Sequence, residues 1–115
     1  MTFSQTQLKA LAKNNPKELV RLLISPNADT TILTYGAELL GDVLDEQVIL
    51  PCLRLLLKHG HAAVREGAMM GLSSFYMEKR PPQDIMDKLQ MMSKNDPSPS
   101  NKEFASTVLG DFEKL

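Results

Sequence analysis

Residues 48–75 read VILPCLRLLLKHGHAAVREGAMMGLSSF, and the spacing of apolar side chains in this stretch decides the fold. Ile49, Cys52, Leu53 and Leu56 recur every three or four residues, the period of one helical face. Asp45 stands before them as an N-cap, with Glu46 in the first turn where negative charge suits the helix dipole. Pro51 falls inside the pattern. The apolar period resumes at once, so its missing N–H predicts a kink rather than an end. Gly60 punctuates the chain, and a second helix runs from Ala63 to Tyr76 on Val64, Ala68, Gly71, Leu72 and Phe75.

Working outward, the same helical signals recur on both sides. Ser4 with Gln7 makes a capping box ahead of Leu8, Leu11 and Ala12. Asn15 is a natural N-cap, Pro16 fits the first helical position and Glu18 completes the start. Leu19, Val20, Leu22, Leu23 and Ile24 follow, until Ser25-Pro26-Asn27 ends that helix. Asp29 caps the next, whose stripe is Ile32, Gly36, Leu39, Leu40 and Val43. Beyond residue 75, Pro81-Pro82 breaks the chain, and Ile85, Leu89 and Met92 follow at helical spacing. Asn95-Asp96-Pro97-Ser98-Pro99 is the clearest loop. Ser100 with Glu103 reads as a second capping box, ahead of Phe104, Val108, Phe112 and Leu115. Period-two alternation persists nowhere, so the expected class is all-α.

Short helices need packing partners, which makes internal repetition the first thing to test. Three alanines align: Ala37, Ala68 and Ala105, spaced by about 31 and about 37 residues. A helix breaker precedes each one (Pro26, Gly60 and Pro97), and an amphipathic helix precedes each breaker. A glycine–hydrophobe pair follows each: Leu40-Gly41, Gly71-Leu72 and Leu109-Gly110.

In the middle unit, Val48 to Leu57 with its internal Pro51 resembles the first helix of a HEAT repeat. Ala63-Val64-Arg65-Glu66-Gly67-Ala68 resembles the start of the second, where Val-Arg-x-x-Ala is characteristic. The match spans Val48–Phe75, about a quarter of the chain. The flanking units are weaker, with Thr34 and Lys102 where Arg65 sits, and Leu33 and Asn101 where Val64 sits. His59-Gly60-His61 occupies the turn in which the family often has aspartate, which puts an aspartate ladder between repeats in doubt. The resemblance implies a short right-handed α-solenoid of about three HEAT-like helical pairs plus an N-terminal helix, one domain over residues 1–115. Each pair leaves an apolar face that only stacking can bury.

Composition narrows the function. At 115 residues and 43% hydrophobic content the chain has room for one core. Aromatics are 5% with no Trp, a poor base-stacking platform. Thirteen basic and fourteen acidic side chains leave a net charge of -1, without the basic excess that phosphate-driven binding needs. One cysteine forbids an internal disulfide, and a reducing cytoplasm is the simplest home. Met1-Thr2-Phe3-Ser4-Gln5 lacks the basic and apolar regions of a leader. The longest apolar run, Val48 to Leu57, is interrupted by Arg54 and falls short of the roughly 20 residues of a membrane span.

Catalytic chemistry is not evident. His59 and His61 sit in a turn without the further ligands a metal needs. Cys52 lies on an apolar face and reads as a buried, inert thiol. Gly67 and Gly71 form a G-x-x-x-G on one helix, a sign of close helix packing. Lys79-Arg80 is a small basic spot at a helix end, where cations complement the dipole. No catalytic residue, cofactor or metal ligand is assigned. Methionine is the unusual count: Met69, Met70, Met77, Met86, Met91 and Met92 cluster. Adjacent helical residues point about 100° apart, so some of these face outward or lie at an edge; the set either fills gaps in a loosely packed core or suits an adaptable contact surface.

The expected function is therefore a non-enzymatic protein–protein interaction module, of the adaptor, chaperone-like or inhibitor/immunity type. It would bind another protein through the second helices of its pairs. In the repeat alignment the contact row is Thr34, Arg65 and Lys102, three before each alanine, with Glu38, Met69 and Ser106 one after. Arg65 has a structural alternative, a bond to a neighbouring helix end or to an acid such as Glu38. Two other classes stand beside this one. A DNA-backbone-binding protein would need Lys13, Lys17, Arg21, Arg54, Lys58 and Arg65 clustered on one face. A lyase-like factor acting on a cofactor-bearing protein would need two perturbed carboxylates in a pocket. An uncapped solenoid end also offers a surface for weak self-association.

Overall fold

Local capping sets the helix boundaries in the computed structural model, which describes residues 3–115. Met1 and Thr2, the start of the segment read as lacking a leader, lie outside the described residues. Among the described residues there are seven helices and no strand: α1 (Gln5–Asn14), α2 (Pro16–Leu23), α3 (Thr30–Leu40), α4 (Glu46–Leu56), α5 (Ala62–Phe75), α6 (Gln83–Asn95) and α7 (Pro99–Glu113). The class is all-α.

Four of the starts are those the sequence predicts. At α1, the Gln7 amide donates to Ser4 Oγ at 3.1 Å and the Ser4 amide donates to Gln7 Oε1 at 2.8 Å, a reciprocal box. Asn15, Asp29 and Asp45 each accept a backbone N–H from the first turn of α2, α3 and α4. Val43 is buried but lies past the end of α3. Helix α4 runs through Pro51, whose ring faces solvent. The start of α7 differs from expectation. Its N-cap is Ser98, which accepts from the Asn101 amide at 3.2 Å, and Pro99 takes the first helical position. Ser100 lies inside the first turn, so the Ser100–Glu103 box does not form. The inward stripe shifts accordingly to Asn101, Ala105, Val108, Leu109 and Phe112. Phe104 is half-buried and Leu115 is exposed.

The chain divides into two units, Met1–Phe75 and Tyr76–Leu115. In the first, α2 packs on α4 and α3 on α5, while α2 also meets α3 and α4 meets α5. The α3–α5 contact is the most extensive, and the glycines explain why. A methyl group at Gly67 would collide with the Thr34 carbonyl, and one at Gly71 with the Ala37 carbonyl. A methyl group at Gly41 would meet the Gly71 carbonyl and the Ser74 side chain. The G-x-x-x-G thus lets the α5 backbone lie directly on α3. Helix α1 packs on α2 and α3, with Leu8 buried.

In the second unit, α6 and α7 pack together and bury Ile85, Met86, Leu89 and Met92 with Val108, Leu109 and Phe112. Tyr76 meets Phe112 edge-on, ring centroids 6.3 Å apart at 82°. The Lys79 ammonium stands 6.0 Å from the Tyr76 ring centre. Arg80 Nη2 donates to the Glu113 carbonyl at 2.6 Å. The helix end that the basic spot satisfies is thus the C-terminus of α7, where carbonyls lack intrahelical partners.

Candidate functional site

The outer side of the α3–α5 pair carries an open groove of 370 Å³, lined by Thr30, Thr31, Thr34, Tyr35 and Glu38 of α3 with His61 and Ala63 at the start of α5. Along α3 these residues recur at the period that alternates with the buried set Ile32, Leu33, Gly36, Ala37 and Leu39. Amphipathicity therefore aims them outward. The α5 side exists because the His59-Gly60-His61 turn is held by its own rings. His59 Nδ1 accepts from the His61 amide at 3.0 Å, and His61 Nδ1 accepts from the Ala63 amide at 3.2 Å. The second bond occupies one of the orphan N–H groups at the start of α5. Both imidazoles thus organise a turn, a role that a plain solvated loop does not describe.

Thr34 and Glu38 of the expected contact row line this groove. The Thr34 hydroxyl donates to the Thr30 carbonyl at 2.7 Å, so towards the groove its oxygen can only accept. Glu38 is half-buried and makes no hydrogen bond or ion pair among the described residues. Burial, and then the negative charge of Glu66, push its carboxyl above the ordinary value of 4.5. Arg65 Nη1 donates to the His59 carbonyl at 2.9 Å, just beyond the end of α4. The acceptor is thus a carbonyl of the turn between α4 and α5.

Met69 is completely buried and presents no surface to a partner. Helix α5 has neighbours in both α3 and α4, so its buried arc (Val64, Gly67, Ala68, Met69, Gly71 and Leu72) is wider than a single stripe. Met70 is the member of that pair that reaches solvent, at 37% exposure. The other adjacent pair splits the same way, with Met92 buried and Met91 exposed; Met86 is buried and Met77 exposed. Lys102 and Ser106 are exposed on α7, in the second unit.

Thr30, Thr31, Tyr35, His61 and Ala63 line the groove without having been singled out for it. Periodicity on α3 offers Tyr35, but the approach of α5 that brings His61 and Ala63 opposite is tertiary. Among the other chemical candidates, Cys52 is buried, which pushes its thiol up to about 11. At neutral pH it is protonated and a poor nucleophile. Among the described residues no group of three or more His, Cys, Asp or Glu side chains is placed to hold a metal ion. No helix among them is long and apolar enough to cross a membrane. Comparison with family models, with curated proteins and with solved structures returns no match.

Proposed function

We propose that this chain is a non-enzymatic interaction module that holds a partner protein on the outer face of its second helices. In this reading it is a short right-handed α-solenoid of three HEAT-like pairs, α2/α3, α4/α5 and α6/α7, behind an N-terminal α1. It works in the cytoplasm without a cofactor. The observation that carries the reading is the pairing within the first unit. First helix lies on first helix and second on second, as stacked repeats require, and the groove lies on the outer side of the second-helix layer. The aligned alanines Ala37, Ala68 and Ala105 are all fully buried, which suits a recurring close-approach position.

The test is affinity capture from the native host with mass spectrometry, using the whole chain and two groove-filling variants, Thr31→Trp and Ala63→Trp. Both positions are solvent-exposed, so the variants keep the wild-type urea midpoint. The expected result is a partner retained by the wild type and lost, or weakened at least about tenfold (1.4 kcal/mol), in both variants. A captured set that neither variant changes overturns the reading. So does a salt-sensitive shift of duplex DNA in place of a protein partner.

A further inference from the structure

Resting on the reading of this groove as a protein-binding face, we infer that what it accepts is a cationic side chain, an arginine or lysine projecting from the partner protein. The groove combines two kinds of surface. Tyr35, Ala63 and the threonine methyl groups offer an apolar lining, and Glu38 stands at the C-terminal end of the α3 wall. Arginine and lysine have the complementary form, an aliphatic stem that packs on apolar surface and a charged head that seeks acceptors.

Two polar groups of the groove, Glu38 and Thr34, match a donor-only head. Glu38 offers two carboxylate oxygens that no described residue engages. The Thr34 hydroxyl has already committed its hydrogen to the Thr30 carbonyl and has only lone pairs to offer. A guanidinium carries five N–H donors and no acceptor, so it can satisfy both residues at once. An incoming carboxylate or phosphate could reach the ring N–H of His61, whose Nδ1 is occupied, but would be repelled by the negative charge of Glu38. Glu66 adds to this selectivity. It lies outside the lining but within electrostatic range of Glu38, so its charge also favours a cation beside Glu38. Arg65, the one cationic residue of α5, donates to the His59 carbonyl.

The probe is the peptide acetyl-Ala-Arg-Ala-Ala-Arg-Ala-amide, titrated into the ¹⁵N-labelled full chain. Its control has citrulline at both arginine positions, which keeps the shape and removes the charge. The expected result is saturable amide shifts concentrated at residues 30–38 and 61–66. The arginine peptide should bind about tenfold more tightly than the citrulline peptide, as a charge-assisted hydrogen bond provides. Glu38→Gln, checked for an unchanged fold by its spectrum, should bring the two peptides to the same affinity. Equal affinities for the wild type, shifts scattered over the chain, or a preference that survives Glu38→Gln each overturn the inference. Its failure is separable from that of the parent reading. If Ala63→Trp abolishes partner capture while the two peptides bind alike, the face binds protein but not through a cation. If the arginine preference holds while capture ignores Ala63→Trp, the groove binds a cation but is not the partner face.

Discussion

Helix pairs α3/α5 and α6/α7 bury their faces by opposite means. Between α3 and α5 the backbones themselves meet, with Gly67 and Gly71 set against the carbonyls of Thr34 and Ala37. The pair α6/α7 instead fills its interior with long side chains, Ile85, Met86, Leu89 and Met92 against Val108, Leu109 and Phe112. The repeat alignment gives both second helices a glycine beside a hydrophobe, Gly71-Leu72 and Leu109-Gly110. Those two glycines have nothing physical in common. Gly71 leaves no room for a methyl group, whereas around Gly110 no atom lies within 4 Å of where one would go. A glycine in a helix is informative only through what stands opposite it.

The largest effect expected from that contrast is at Gly71. An alanine there meets the Ala37 carbonyl and comes within 3.3 Å of Leu53 Cδ2. Backbone cannot step aside as a flexible side chain can, so α3 and α5 must separate along their whole contact. Overpacking of this kind costs about 3 kcal/mol, and Gly67→Ala against the Thr34 carbonyl should behave alike. Urea denaturation measures it. A Gly71→Ala chain with the wild-type midpoint would show that backbone contact does not hold this pair.

The matching change at Gly110 should have the opposite sign. No glycine in the described chain has positive φ, and Gly110 lies in the last third of α7 with open space beside it. Alanine there gains helix propensity and lowers the entropy of the unfolded chain, together about 1 kcal/mol of added stability. Thermal or urea unfolding of Gly110→Ala checks it. A loss of stability would mean that Gly110 has the same packing role as Gly71.

These two positions also mark how far the sequence could be read. Caps are short-range chemistry, so Ser4, Asn15, Asp29 and Asp45 were legible from a few residues each. The start of α7 was displaced by two residues because serines flank Pro99 on both sides. The precedent inside the chain, Asn15 before Pro16, favours the serine that precedes the proline. Register along one helix was legible too: Thr34 and Glu38 line the groove as a pair. What one helix cannot report is how many neighbours it has. With α3 on one side and α4 on another, α5 draws Met69 inward, although the residue one position after the aligned alanine is half-buried in α3 and exposed in α7. The half of the groove formed by His61 and Ala63 likewise depends on a contact between helices, which no local pattern contains.

Close backbones have an electrostatic consequence that the α6/α7 type of packing avoids. By bringing α3 onto α5, the glycines set Glu38 within range of Glu66. Burial first, and the Glu66 charge second, hold the Glu38 carboxyl above 4.5 in the folded chain. The folded state therefore binds that proton more tightly than the unfolded state does. With more protons on the folded side, stability falls as pH rises from 4.5 through the folded value. Glu38→Gln removes this term, so the variant should gain on the wild type as pH rises from 4 to 7. The gain should be no more than about 0.5 kcal/mol, because the carboxylate is partly solvated and screened, and it should shrink in about 1 M salt. Urea midpoints of the two chains at pH 4 and pH 7 measure it. A difference independent of pH would mean that the fold carries no net proton-linked cost at Glu38, and that α3 and α5 meet without forcing the two charges together.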